Sequence, residues 1–221
     1  LLLVMIQVES MQNFVLRLRI DGREVTPNLN RWLAAEAVWF SGCTDQTAQG
    51  RTSDGELLSQ ISLHPLREGS AAFRYGDNHN EGIATVLSTR GYATLSAVPF
   101  EPSFWNRLVT VPAYGYRTNL DVDDFVPGPV VGWGLNDRDF LEAMARTGLL
   151  DDTVIAIWGD HASGLAWEPA LAGVAGEDYS QLGFYRVDEV PFIVRLPGGT
   201  LRGERTLRCG LSDVAPTLLA L

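Results

Sequence analysis

Two nearly continuous apolar runs constrain this chain most, Leu1-Leu2-Leu3-Val4-Met5-Ile6-Gln7-Val8 and Thr153-Val154-Ile155-Ala156-Ile157-Trp158. A strand wet on one face alternates apolar and polar residues, whereas a strand buried on both faces does not and is typical of a parallel sheet covered by helices. In open α/β sheets, sites are built at the carboxyl ends of such strands. The first run stops at Glu9-Ser10 and the second at Gly159-Asp160-His161. Glu9, Asp160 and His161 are therefore candidate ligands of one divalent metal, offering hard carboxylate oxygens and one imidazole nitrogen. The plainer alternative, a histidine satisfied within its own loop, is weakened by the carboxylate at the end of the other strand.

Further strands are expected at Val38 to Gly42, Tyr92 to Val98 and Val190 to Arg195. Helices are expected after Thr26-Pro27, from Gly82 to Arg90, from Asp137 to Arg146 and from Ser212 to Leu221. Thr26 and Ser212 serve as caps, with Pro27 at the first helical position. The stretch Gly164 to Tyr185 reads as a polar, irregular surface excursion. Strands alternating with helices imply an α/β fold, a three-layer sandwich with a largely parallel central sheet, as one domain over residues 1–221.

The segment Gln46 to Glu56, QTAQGRTSDGE, has the layout of a loop feeding a helix N-terminus. Unpaired amides and the helix dipole favour an anion there, with the Thr52 hydroxyl beside it. It also fits a capping box running from Ser53 to Glu56. Downstream, Trp105 and Arg107 in Ser103-Phe104-Trp105-Asn106-Arg107 fit a pocket wall, or else a core tryptophan and a solvated charge. Asp121-Val122-Asp123-Asp124 lacks the spacing and glycine of a calcium loop and reads as a solvated turn.

A net charge of −10 argues against a nucleic-acid partner, so an anionic substrate must be held by a few local cations or a metal. Cys43 and Cys209 form neither a CxxC pair nor a disulfide framework. No segment reaches the ~18 apolar residues of a membrane span, and a chain that begins within a strand implies a natural part ahead of it.

Together, Val8-Glu9-Ser10, Gly50-Arg51-Thr52-Ser53-Asp54, Ser103 to Arg107, Trp133-Gly134-Leu135-Asn136-Asp137 and Gly159-Asp160-His161 resemble the lipoteichoic acid synthase family. These are phosphoglycerol transferases of the sulfatase and alkaline phosphatase superfamily. The resemblance covers almost the whole chain and implies a fold of that kind. By it, Glu9, Thr52, Asp160 and His161 bind one manganese or magnesium ion, Thr52 is the nucleophile, and Trp105 and Arg107 contact glycerol phosphate. It further implies an anionic glycerophospholipid donor such as phosphatidylglycerol and an acceptor that is a teichoic acid, a glycan or a lipid headgroup. The location implied is the extracytoplasmic face of the cytoplasmic membrane, with anchoring by a segment outside this chain.

Two departures stand out. The family's histidine ahead of the SFWNR motif has no counterpart in Ala97 to Pro102. A histidine-bearing strand unit between the Trp133 helix and the Gly159-Asp160-His161 strand is also missing, and such a unit needs roughly 30 residues. The expected explanation is an omitted segment near residues 144–147, with Arg146 and Thr147 not true neighbours. Two other outcomes remain compatible with the motifs: a phosphodiesterase or phosphatase that uses water as acceptor, and a regulatory relative without catalysis.

Overall fold

The structure, a computed structural model, describes residues 2–145 and 152–221. The expected break between Arg146 and Thr147 lies outside the described residues. Contacts divide the chain into two compact units, Leu1–Thr47 with Leu149–Leu211, and Ala48–Gly148 with Ser212–Leu221.

The first unit is built on five strands: β1 (Leu2–Val8), β2 (Val38–Thr44), β3 (Thr153–Gly159), β4 (Val190–Arg195) and β5 (Gly203–Gly210). Their order across the sheet is β1-β3-β4-β2-β5. β1 pairs parallel with β3, and β2 parallel with β5, while β4 runs antiparallel between β3 and β2. Four strands thus share one direction, and the expected α/β class holds with a mixed sheet. Every residue of β3 and β4 is buried, which is why both read as unbroken apolar runs. β5 lies at the edge and is mostly exposed, so it carries no apolar signature and was not anticipated.

One face of this sheet packs on the helix Pro27–Ala35 through a core of Leu16, Leu33, Ala37, Trp39, Ile155, Ile157 and Ile193. Burying a side chain such as Leu33 contributes about 1.5–3 kcal/mol. Pro27 opens the helix as expected, but the Thr26 side chain does not cap it; its hydroxyl lies 3.3 Å from the Val15 carbonyl and 3.0 Å from Asn30 Oδ1. The stretch expected to be irregular contains two helices, Pro169–Ala175 and Gln181–Val187. Both are seven residues long, too short to show a clear period, and the second is capped by the Ser180 hydroxyl accepting from the Gly183 amide.

The second unit centres on the helix Thr52–Ile61, in which Ser53 to Ser59 and Ile61 are buried. The same unit contains the helices Ala71–Arg74, Ile83–Thr89, Arg107–Ala113, Asp137–Ala145 and Val214–Leu219. Its core includes Leu57, Ile61, Ala113 and Tyr114. The strand expected from Tyr92 to Val98 shortens to Leu95–Ala97, paired parallel with Thr118–Leu120. A small hairpin joins Val130–Val131 to Gly134–Leu135. The last helix begins at Val214 with Asp213 at its N-cap, so Ser212 does not hold the expected capping position. Among the described residues no helix is long and apolar enough to cross a membrane.

Candidate active site

The register of β1 on β3 pairs Val8 with Gly159, so the next residues, Glu9 and Asp160, emerge side by side at the carboxyl ends of two parallel strands. Glycine is required at 159, because a Cβ there would lie 1.9 Å from the Met11 carbonyl oxygen. Ser10, at φ 52°, turns the chain back and donates its amide to Asp160 Oδ1 at 2.8 Å, while its hydroxyl donates to Glu9 Oε1 at 2.9 Å. His161 Nδ1 lies 2.7 Å from the Ala162 carbonyl oxygen, which directs Nε2 to within 3.2 Å of Glu9 Oε1 and 3.7 Å of Asp160 Oδ2. Asp45, following β2, accepts the Ala162 amide at 2.7 Å and so holds the loop that carries His161.

Among the described residues this is the one group of three metal-ligating side chains, with ligand atoms all within 4.8 Å of one another. Asp160 is fully buried, yet its Oδ2 accepts no hydrogen bond. A buried carboxylate oxygen with no donor is costly, and a cation is the usual remedy. Two carboxylates and an imidazole with ligand atoms this close could hold a divalent cation. Burial pushes Asp160 up to about 6, with Glu9 adding to the rise and His161 opposing it. Burial alone would lower His161, but hydrogen bonds to Glu9 and the Ala162 carbonyl, with the Asp160 charge, outweigh it and lift the imidazole to about 9.

Thr52, Trp105 and Arg107 belong to the other unit. Thr52 is the first residue of its helix, and Arg51 before it sits at φ 47°, ψ −119°, a strained conformation for a side-chain-bearing residue. The loop ahead of it is pinned by Asp54, whose Oδ2 accepts the amides of Ala48 at 3.0 Å and Gly50 at 2.9 Å. Only glycine fits at 50, since a Cβ would meet Asp54 Oδ1 at 2.1 Å. The capping box does not form, because the Ser53 hydroxyl donates to the Gly50 carbonyl and Glu56 pairs with Arg107. The expected row of open amides is also reduced, as the Ser53 and Asp54 amides donate to the Gly50 and Arg51 carbonyls.

Trp105 and Asn106 occupy consecutive left-handed positions, φ 52° and 58°, which set off the helix Arg107–Ala113. The half-buried Trp105 ring lies 5.8 Å from Phe104 and 6.2 Å from Phe73. Arg107 is not the solvated charge weighed as an alternative. It is 6% exposed, ion-paired with Glu56, and donates from Nη2 to the Ser96 hydroxyl at 2.6 Å, while its Nε has no partner. Burial lowers its pKa to about 10, against the opposing charges of Tyr116 and Tyr114, so it stays cationic at neutral pH. Asp121 to Asp124 form the expected solvated turn, with Asp121 and Asp124 capping it reciprocally. From the sequence Asp45 carries no expected role, Asp54 is named only within its motif, and Glu56 is assigned to a capping box that does not form.

No protein-family model matches the chain. Among curated proteins it is similar to the lipoteichoic acid synthase-like YvgJ of Bacillus subtilis, 26% identical over 288 residues and 99% of this chain. The lipoteichoic acid synthase of Staphylococcus aureus is 24% identical over 290 residues. Those alignments run longer than the 221 residues here, so the relatives carry positions this chain lacks. The chain spans about half the length of these relatives, 46% and 45%. Its fold matches the lipoteichoic acid synthase LtaP from Listeria monocytogenes at a TM-score of 0.82 and 18% identity, over 99% of this chain and 71% of that one. The Streptococcus pyogenes phosphoglycerol transferase GacH, solved with sn-glycerol-1-phosphate, matches at 0.73 and 12% identity, over 99% and 74%. The resemblance drawn from the motifs and the expected superfamily fold therefore both hold.

Proposed function

We propose that this chain, similar in sequence to lipoteichoic acid synthases and in fold to their superfamily, is the catalytic domain of a metal-dependent phosphoglycerol transferase. The observation that carries the reading is the convergence of Glu9, Asp160 and His161 around a buried carboxylate oxygen that lacks a donor. One manganese or magnesium ion held by these residues would supply Lewis acidity, favouring ionisation of a coordinated hydroxyl near neutral pH and offsetting phosphoryl charge. Thr52 is assigned as the fourth ligand and the nucleophile.

In the first step the Thr52 hydroxyl gives up its proton and its oxygen bonds to the phosphorus of a glycerophospholipid such as phosphatidylglycerol. The phosphorus–oxygen bond to diacylglycerol breaks, and the departing oxygen takes up a proton. In the second step an acceptor hydroxyl gives up its proton and attacks the same phosphorus, the bond to the Thr52 oxygen breaks, and that oxygen takes up a proton. Asp54 and Gly50 hold the loop that presents Thr52, and Asp45 holds the loop that presents His161. Trp105 is assigned to the glycerol moiety through its ring and indole donor. Arg107 is assigned to its phosphate, which requires Arg107 to share its fork with Glu56 or to leave it. The domain is placed on the extracytoplasmic face of the membrane, where such lipids present their headgroups, with a teichoic acid, glycan or lipid headgroup as acceptor.

The test is to incubate the full-length protein with phosphatidylglycerol and manganese, quench with acid and map adducts by mass spectrometry. A glycerophosphate adduct on Thr52, absent from Thr52→Ala, is the expected result. Diacylglycerol release at an undiminished rate from Thr52→Ala would remove Thr52 from the chemistry.

A further inference from the structure

The two cysteines, distant in sequence, are Cα partners across the parallel β2–β5 pair, Cys43 opposite Cys209. Register partners in a parallel pair point to the same face, and the adjacent pair displays this directly, since a Cβ built on Gly42 would lie 3.2 Å from Arg208 Cδ. Neighbouring strands sit roughly 4.8 Å apart, inside the ~4.4–6.8 Å range of Cα separations that a disulfide spans. The two sites also differ in access. Cys43 is fully buried, whereas Cys209 is half-buried on the edge strand. The pairing has a register shift between Arg205 and Arg208, so the last three residues of β5 form a separate short ladder against Gly42 to Thr44.

We propose that Cys43 and Cys209 are an oxidation site that closes an intrachain disulfide and ties the end of the edge strand β5 to β2. The oxidant is a disulfide of the exchanging class, such as oxidised glutathione or a dithiol oxidoreductase in its oxidised form. The Cys209 thiolate attacks one sulfur of that disulfide and expels the other as a thiol, giving a mixed disulfide. Cys43 then loses its proton and attacks the Cys209 sulfur, expelling the second external thiol. Two protein S–H bonds and one external S–S bond are consumed, one protein S–S bond and two external thiols are formed, and two electrons pass to the oxidant. The bond closes a loop of most of the chain, the case in which restricting the unfolded state stabilises most. It fixes Thr44, which leads directly into Asp45 and the hydrogen bond to the His161 loop. This inference does not depend on the phosphoglycerol transfer reading.

The experiment uses the full-length protein, reduced and then equilibrated with oxidised glutathione. Thiols are counted in denaturant, the mass is measured intact, and cysteine peptides are mapped before and after dithiothreitol. The expected result is loss of both thiols, a mass lower by about 2 Da in a monomer, a Cys43–Cys209 cross-linked peptide, and a melting temperature higher by about 5–10 °C. Dithiothreitol should reverse all of these, and Cys209→Ser should show no shift on oxidation. Two thiols still titrating, a stable glutathione adduct on Cys209, or dimers linked through Cys209 would each overturn the proposal.

Discussion

Two clusters of charge among the described residues, each with a buried carboxylate, are resolved in opposite ways. In one, Glu56 meets Arg107, both side chains about nine-tenths buried, and the Ser96 hydroxyl accepts a further hydrogen bond from the guanidinium. Charge there is balanced within the protein. In the other, Glu9 and Asp160 converge with only His161 between them, and Asp160 keeps a buried oxygen with no donor. The counter-charge the protein itself offers there is the imidazole, lifted to about 9. A buried carboxylate therefore says little by itself. What separates a packed ion pair from a metal centre is whether the protein supplies the whole counter-charge.

The sharpest break between the two clusters is expected on removing a cation. Arg107→Ala leaves Glu56 buried without its partner and should cost about 3–5 kcal/mol of folding stability. Urea titration with added metal measures this, and replacing both partners with apolar residues of similar volume should recover most of the loss. A stability change near zero for Arg107→Ala would mean the pair is open to water, as its assigned phosphate contact requires in part.

A smaller effect is expected from pH at the Glu9, Asp160 and His161 cluster. Folding raises His161 above its ordinary 6.5 to about 9, so its contribution to the metal-free fold is present below pH 6.5 and is lost as pH rises through 9. Asp160, raised from 3.8 to about 6, adds a cost that grows as pH rises through 6. A metal needs both groups deprotonated, so the sign reverses for binding. Its affinity should rise about tenfold per pH unit between 6.5 and 8.5, with close to one proton released per ion. Calorimetry in buffers of different ionisation enthalpy reads both quantities; affinity that is flat over this range would mean His161 is not a ligand.

The sequence was most readable where burial leaves a continuous apolar mark. β1, β3 and β4 were identified nearly to the residue, and the candidate ligands were found because each follows such a strand. β5 escaped because Glu204 to Arg208 are exposed and carry no pattern. The helices Pro169–Ala175 and Gln181–Val187 escaped because each makes only two turns. At the site, residue types at strand ends were legible, but partners were not. Nothing local in the sequence announces that Glu56 pairs with Arg107, or that Asp45 supports the loop after His161, since both are contacts between distant segments. Glu56 was instead read with its near neighbour Ser53, the only partner that sequence proximity suggests.

The most direct measurement of the central claim is a manganese titration followed by electron paramagnetic resonance, which sees the free aqueous ion. Wild-type protein at pH 8 should remove the signal up to one ion per chain, while Asp160→Asn and His161→Gln should each weaken binding at least about tenfold and leave the fold intact. Arg107→Lys should bind as wild type does. Binding of manganese by Asp160→Asn at wild-type affinity would contradict the assignment of Glu9, Asp160 and His161 as the metal centre.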